Sequence, residues 1–283
     1  MPRRCHFLLR PDDGTRPSRV TPAQLHGLAC ALLEGAGADH HGQTKPFSIT
    51  PLLQAPHAPG HALLTLGWLD DQTVPPLEKR VGEQVRIGAQ FFSIEDVIAE
   101  GASYATLLAL PTAERVTMDF LSVTHFTRSG RWIPLPDAEL LYTSLARRWN
   151  AYAETPLPNP LITELRETVA LTAHDVKSAP VGIGQGHRIG FLGQATFTLT
   201  GTVHPEVASA FMALSHFAEL AGAGAQTTHG LGWTTISVPQ HRTRKTDGGA
   251  ARRTRNRPHR QEPSEADSRA NQTRRSQPHK QIL

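Results

Sequence analysis

Residues 220–233 read LAGAGAQTTHGLGW, from Leu220 to Trp233. Two glycine pairs, Gly222/Gly224 and Gly230/Gly232, bracket five residues between the end of one apolar helical pattern and the start of a strand-like run. Turning a chain once does not need four glycines. Glycine accepts positive φ and lets a second backbone come close. Backbone N–H groups bared in such a loop face phosphates well. The stretch is therefore read either as a cradle for a nucleic-acid or nucleotide backbone or as a tight helix-to-strand connection.

Working outward, His204-Pro205 opens the helix before the loop, with Val207, Phe211, Leu214 and Phe217 at helical spacing, and Trp233 to Val238 is a final strand. Upstream, Glu114 to Phe126 reads as a strand, Asp137 caps a helix to about Tyr152, and Pro156, Pro158 and Pro160 break it. Thr168 to Val176 and Gly190 to Leu199 are strands. The order is β-α-β-β-α-β.

The first 110 residues give the same order. His6 to Leu9 is a strand. Thr21-Pro22 opens a helix carrying Leu25, Leu28, Ala29, Leu32 and Leu33, stopped by Gly35 and Gly37. Pro46 to Thr50 and His61 to Leu69 are strands, Val74 to Val85 a second helix, and Arg86 to Ile98 and Ser103 to Leu110 strand-like. Two copies of one supersecondary pattern predict an α+β chain of tandem ferredoxin-like (RRM-like, βαββαβ) domains, 1–112 and 113–240.

Residues 241–283 hold 12 of the 29 Lys and Arg but only 4 of the 25 Asp and Glu. They lack the apolar content to offset ordering entropy, so this part reads as a disordered basic tail. The rest is slightly acidic, 17 against 21, so any nucleic-acid role falls to a local patch rather than a basic domain. Cys5 and Cys30 form no C-x-x-C pair and are expected as free thiols. No stretch approaches the roughly 20 apolar residues of a spanning helix, and the start lacks a signal-peptide core. A cytoplasmic protein without membrane contact is expected. A P-loop or Rossmann nucleotide site is disfavoured, because here the helix precedes the glycines.

Placed at the end of a second βαββαβ unit, the helix–GAGAQTTHGLGW–strand segment resembles the glycine-rich loop of the RAMP superfamily. Within it, the chain is most similar to the Cas-six family of CRISPR repeat-processing endoribonucleases. Leu25-His26-Gly27-Leu28 resembles that family's first-helix segment. His40 followed by Lys45-Pro46-Phe47-Ser48 resembles its histidine-to-KPF strand start, and Arg188-Ile189-Gly190-Phe191-Leu192-Gly193 the strand before its last helix. The resemblance covers about residues 3–240. The sequence departs from the pattern at Gln226, where the spacer often carries Lys, and at Cys30, where some members place Tyr. Two histidines, His40 and His41, stand where one is usual; counting back from Lys45 selects His40.

The resemblance implies metal-independent cleavage of CRISPR precursor RNA within the repeat, with no cofactor. The ribose 2′-OH attacks the adjacent phosphorus, leaving 2′,3′-cyclic phosphate and 5′-OH ends. Such chemistry asks for a base, an acid and positive charge near the phosphorane; histidine suits both proton roles, and lysine supplies charge. The implied catalytic set is His40 and His26, order open, with Lys45. Gly222, Gly224, Gly230, Gly232, Arg188 and His229 are the implied RNA contacts, and no metal ligands are assigned. On this reading the glycine loop positions RNA, as a stem-loop or unstructured, for chemistry assigned to the other end of the chain. The competing reading is a non-catalytic RNA-binding subunit of a CRISPR effector complex. Other effector subunits are conceivable partners, and the state is monomer or homodimer.

Overall fold

The computed structural model of the chain describes residues 1–15, 20–33, 45–184 and 186–239. They belong to one compact unit, Met1–Gln240. The expected disordered tail lies outside the described residues, as do Gly35, Gly37, His40 and His41.

The first half runs β1 (Arg3–Pro11), α1 (Pro22–Leu33), β2 (Phe47–Ile49), β3 (Leu53–Gln54), β4 (Ala62–Trp68), β5 (Gln84–Ile87) and β6 (Gln90–Gly101). Its sheet has the order β2-β4-β1-β6-β5, with β3 attached to β4. β1 is central and antiparallel to both β4 and β6. It alternates: Cys5, Phe7 and Leu9 are buried, while His6 and Leu8 are half-buried and Arg10 exposed. The buried set meets Leu25, Leu28, Ala29 and Leu32 of α1 in one core. Each fully buried Leu or Phe contributes about 1.5–3 kcal/mol.

A short helix, α2 (Tyr104–Leu108), leads to the second half: β7 (Arg115–Thr124), β8 (Phe126–Arg128), β9 (Arg131–Ile133), α3 (Ala138–Tyr152), α4 (Asn159–Thr168), β10 (Val169–Ile183), β11 (Gly186–Leu199), α5 (Pro205–Ala221) and β12 (Thr234–Ser237). This sheet has the order β10-β11-β7-β12, while β8 and β9 form a separate hairpin. Counting only the strands of each βαββαβ unit, both sheets have the first strand between the third and the fourth. In strand order that is the ferredoxin-like arrangement, twice in one chain, with a 3-10 turn, Leu77–Arg80, in place of the second helix of the first unit.

Local chemistry sets the helix starts. Thr21 Oγ1 accepts from Gln24 N–H at 3.4 Å while Gln24 Oε1 accepts from Thr21 N–H at 2.8 Å, a reciprocal capping box. Asp137 Oδ1 accepts from Leu140 N–H at 2.9 Å and starts α3. Three sequence-based expectations need correction. Val74–Val85 is not a helix: only Leu77–Arg80 makes a 3-10 turn, and Gly82 and Ile94 then exchange into the sheet through Gly82 N–H to Ile94 O and Ile94 N–H to Glu83 O. Ser103–Leu110 is not a strand, because Ser103 Oγ caps α2 by accepting from Thr106 N–H at 3.0 Å. The helix before the prolines does end at Tyr152, but a further helix, absent from the sequence reading, follows: Pro160 sits in the first turn of α4, where its missing N–H costs nothing.

The halves meet at the C-terminal end of α5. Tyr104 packs edge-on to Trp149 and beside Phe217, so α2 belongs to the second core. Ser48 Oγ donates to Leu220 O at 2.5 Å. Gly67 of β4 lies so close that a Cβ there would collide with that same carbonyl. The Arg148 guanidinium donates to Ala221 O and, at 3.3 Å, to Gly222 O. These bonds satisfy carbonyls that a helix end leaves without partners and fix where the glycine-rich loop begins.

Candidate functional site

Five residues of the loop lie in the left-handed region: Gly222 (φ 72°), Gly224 (φ 80°), Gln226 (φ 58°), Gly230 (φ 82°) and Gly232 (φ 71°). The glycine pairs clasp each other: Ala223 N–H donates to Gly232 O at 2.8 Å, and a Cβ on Gly232 would collide with Ala223 O. Gly232 N–H donates to Val123 O at 3.2 Å and Ala225 N–H to His125 O at 2.9 Å, docking the loop on the β7–β8 junction. Gly222 N–H closes α5 on Ala218 O at 2.8 Å. The amides of Gly222 and Gly232 are thus engaged within the protein, and backbone comes closest at Gly224 and Gly232, where a Cβ would strike His125 O and Ala223 O. What the clasp holds out is the 3-10 turn Thr227–His229.

That turn reaches α1. Thr228 O lies 3.0 Å from His26 Nδ1, and the His229 ring stacks parallel on the His26 ring with centroids 4.1 Å apart. A carbonyl only accepts, so His26 Nδ1 carries a hydrogen and any proton His26 takes up or gives is exchanged at Nε2. Nε2 stands 3.6 Å from Cys30 Sγ, one helical turn on. Phe47, at the start of β2, stacks beyond at 6.0 Å. Burial, with His26 beside it, pulls the pKa of His229 down to about 4, so this imidazole is neutral near pH 7.

Lys45 is half-buried, two residues before Phe47, so the segment joining α1 to β2 ends beside His26. His40 falls in that segment, outside the described residues. Arg188, near the turn of the β10–β11 hairpin, is exposed and lies over the Trp132 ring at 5.6 Å. Trp132 in turn stacks on the buried His125 and donates its indole N–H to Ile189 O. The structure therefore joins His26 and His229, which the sequence reading had kept in separate roles, and it holds Arg188 on a different support. Thr228, Cys30 and Gln226 were not singled out as site residues. The i,i+4 spacing of His26 and Cys30 is a usable signal; a backbone carbonyl from a remote loop leaves none.

Between the first turn of α1, the β10–β11 hairpin and the glycine-rich loop runs a groove of about 800 Å³. Leu25, Pro51, Val181, Gln226, His229 and Leu231 are among its walls. His229 thus separates the groove from His26. Among the described residues no three His, Cys, Asp or Glu are placed to hold a metal ion, and no helix is long and apolar enough to cross a membrane.

Comparison with known proteins agrees with this architecture. The family model described as "CRISPR-associated endoribonuclease Cas6" matches residues 118–234. A curated relative from Mycobacterium tuberculosis, also a CRISPR-associated endoribonuclease Cas6, is 37% identical over 125 residues, 44% of this chain. The match spans 39% of that relative's length. Among solved structures, a Cas6 product complex superposes with a TM-score of 0.72 at 26% identity, covering 84% of this chain and 100% of that one. Thermus thermophilus Cas6 superposes with a TM-score of 0.66 at 28% identity, covering 84% and 98%.

Proposed function

The chain belongs to the Cas6 family of CRISPR-associated endoribonucleases, and from that premise we propose that it cuts CRISPR precursor RNA within the repeat without a metal ion. The observation that carries the proposal is the His26 imidazole, held by Thr228 O at Nδ1 and by the His229 ring on its face, so that a proton is exchanged at Nε2, whose one hydrogen-bonding neighbour among the described residues is the weak partner Cys30 Sγ at 3.6 Å. An imidazole whose orientation is fixed through one nitrogen suits general acid–base catalysis at the other.

In the proposed reaction the 2′-oxygen forms a bond to phosphorus while the bond from phosphorus to the 5′-oxygen breaks. One histidine takes the proton of the 2′-OH and another gives a proton to the departing 5′-oxygen. His26 is one of the pair, and His40, in the segment between α1 and β2, is its complement. Lys45, at the end of that segment, supplies charge to the phosphorane. The products carry 2′,3′-cyclic phosphate and 5′-OH ends.

The test incubates purified protein with labelled repeat RNA in EDTA, beside the same RNA with a 2′-deoxy sugar at the break. Cleavage in EDTA that stops on deoxy substitution is expected. Cleavage that needs a metal, or survives the substitution, overturns the mechanism. Tight RNA binding with no cleavage of any repeat supports the alternative, a binding subunit. His40→Ala and His41→Ala, made separately, assign the second histidine; an unaffected His40→Ala overturns the assignment to His40.

A further inference from the structure

One residue grips both rings of the stacked pair. Thr228 O lies 3.0 Å from His26 Nδ1, and Thr228 Oγ1 lies 3.0 Å from His229 Nδ1. The two planes are parallel, at an interplanar angle of 0°. The backbone under the second ring is tied as well, because His229 N–H donates to Gln226 O at 2.9 Å. A stack held at one nitrogen of each ring has little freedom to rotate. His229 is the half of this pair that comes from the glycine-rich loop, so the loop delivers a flat surface to the face of His26.

Charge divides the two rings. Two imidazolium ions with centroids 4.1 Å apart would repel, so the pair takes one proton readily and a second only at a cost. Burial first, and His26 second, pull the pKa of His229 down to about 4. His229 is therefore the ring that stays neutral at pH 7, and the proton falls to His26. A neutral imidazole gives a phosphate no counter-charge. Nor does His229 suit the part of second catalytic histidine. The attacking and leaving oxygens lie roughly in line through phosphorus. Base and acid thus work from opposite sides, whereas two rings stacked face to face stand on one side.

We propose that His229 is a positioning residue, a shelf that fixes the plane of the His26 ring, and that it neither transfers a proton nor holds a phosphate. The inference deepens the RNA-cleaving reading of the same site and rests on it. It differs from the RNA contact that the family resemblance implies for His229. A ring free to turn spends less time with Nε2 at the reacting oxygen, and misplacing a catalytic group costs rate rather than affinity. What the shelf must supply is a flat, uncharged face; neither of its nitrogens is needed for the chemistry.

The test makes His229→Phe, His229→Ala and His229→Arg in the full chain. It reads single-turnover cleavage of labelled repeat RNA against pH, and the dissociation constant of the same RNA with a 2′-deoxy sugar at the break. His229→Phe keeps a flat ring that never charges. Its rate is expected within about threefold of wild type, with a pH profile of the same shape. His229→Ala removes the shelf and is expected to lose about 10- to 100-fold in rate while its dissociation constant changes by less than about threefold. His229→Arg sets a charge beside His26. Its rate is expected to fall at least as far as that of His229→Ala, its dissociation constant to hold or tighten, and the limb of the profile that reports His26 to move to lower pH. If His229→Ala does not fold, His229→Phe against His229→Arg decides alone. A His229→Phe rate as low as that of His229→Ala or His229→Arg overturns the proposal, because a nitrogen of His229 is then required. So does a His229→Arg rate near wild type, or a His229→Ala loss that lies in the dissociation constant with the rate unchanged, the mark of an RNA contact. In each of these cases wild type still cleaves, and the positioning inference alone has failed. If wild type cleaves no repeat RNA, the functional reading has failed and this inference with it.

Discussion

The imidazoles of His26 and His229 lie parallel, 4.1 Å apart, although one belongs to the first helix of the chain and the other to the last loop before its final strand. Neither ring is placed by its own element. The α5 end, clamped by Arg148 and by Ser48, fixes the loop that carries His229, and the Thr228 carbonyl fixes the tautomer of His26.

His26 is expected to carry chemistry more than affinity. His26→Ala should lower single-turnover cleavage of repeat RNA by about 10²–10⁴-fold, the usual span of a general acid or base. Its dissociation constant for the RNA should change by less than about threefold, well within one hydrogen bond's worth. A cleavage rate within threefold of wild type would refute the assignment.

Acid should destabilise the fold through its buried histidines. His125 is 1% exposed, has no partner on either ring nitrogen, and burial holds its pKa near 4. The folded value lies below the unfolded value near 6.5, so the unfolded state takes up the proton first. Stability from His125 is thus complete above about pH 6.5 and is lost as pH falls toward 4, on the order of 3 kcal/mol in all. His125→Phe keeps the stack on Trp132, leaves no hydrogen bond broken, and should flatten melting temperature against pH over that window. A wild-type-like slope would sink this account.

Arg148 is expected to be structural rather than an RNA contact. Its guanidinium serves the Ala221 and Gly222 carbonyls, and burial draws its pKa down to about 10, which still leaves it charged at neutral pH. Arg148→Met retains the packing stem and removes the charged donor. A loss of about 2–3 kcal/mol in urea unfolding is expected; a loss under 0.5 kcal/mol would place those carbonyls' satisfaction elsewhere.

The four glycines should not be equivalent. At Gly232 a Cβ would strike the Ala223 backbone as well as face φ 71°. Gly232→Ala should cost about 3 kcal/mol or more. At Gly230 the nearest atom is Leu25 Cδ1, 2.6 Å from a Cβ and able to move. Gly230→Ala should cost about 1–2 kcal/mol. Thermal unfolding of the pair decides it, and the reverse order would contradict the clasp.

The sequence by itself determined what short-range chemistry encodes. Thr21 with Gln24, and Asp137 with Leu140, announce helices because capping bonds form between neighbours. Alternation in β1 and β7 and helical spacing in α1 and α5 give two βαββαβ units because burial periodicity is written residue by residue. The misreadings came where local signals conflict: prolines at 75–76 that allow only one turn, Ser103 turning an apolar run into α2, and Pro160, which follows the end of one helix and also opens the next. Only tertiary structure decided that the glycine-rich loop, read as a remote support for the chemistry, lies against His26. No pattern in the chain encodes that contact, because it is made by a backbone carbonyl and a stacked ring delivered through the packing of α5 on the first sheet. The glycines were legible as special. Their use, closing a clasp on Val123 and His125 that holds Thr228 and His229 in place, follows from which backbones meet, and that is a property of the fold.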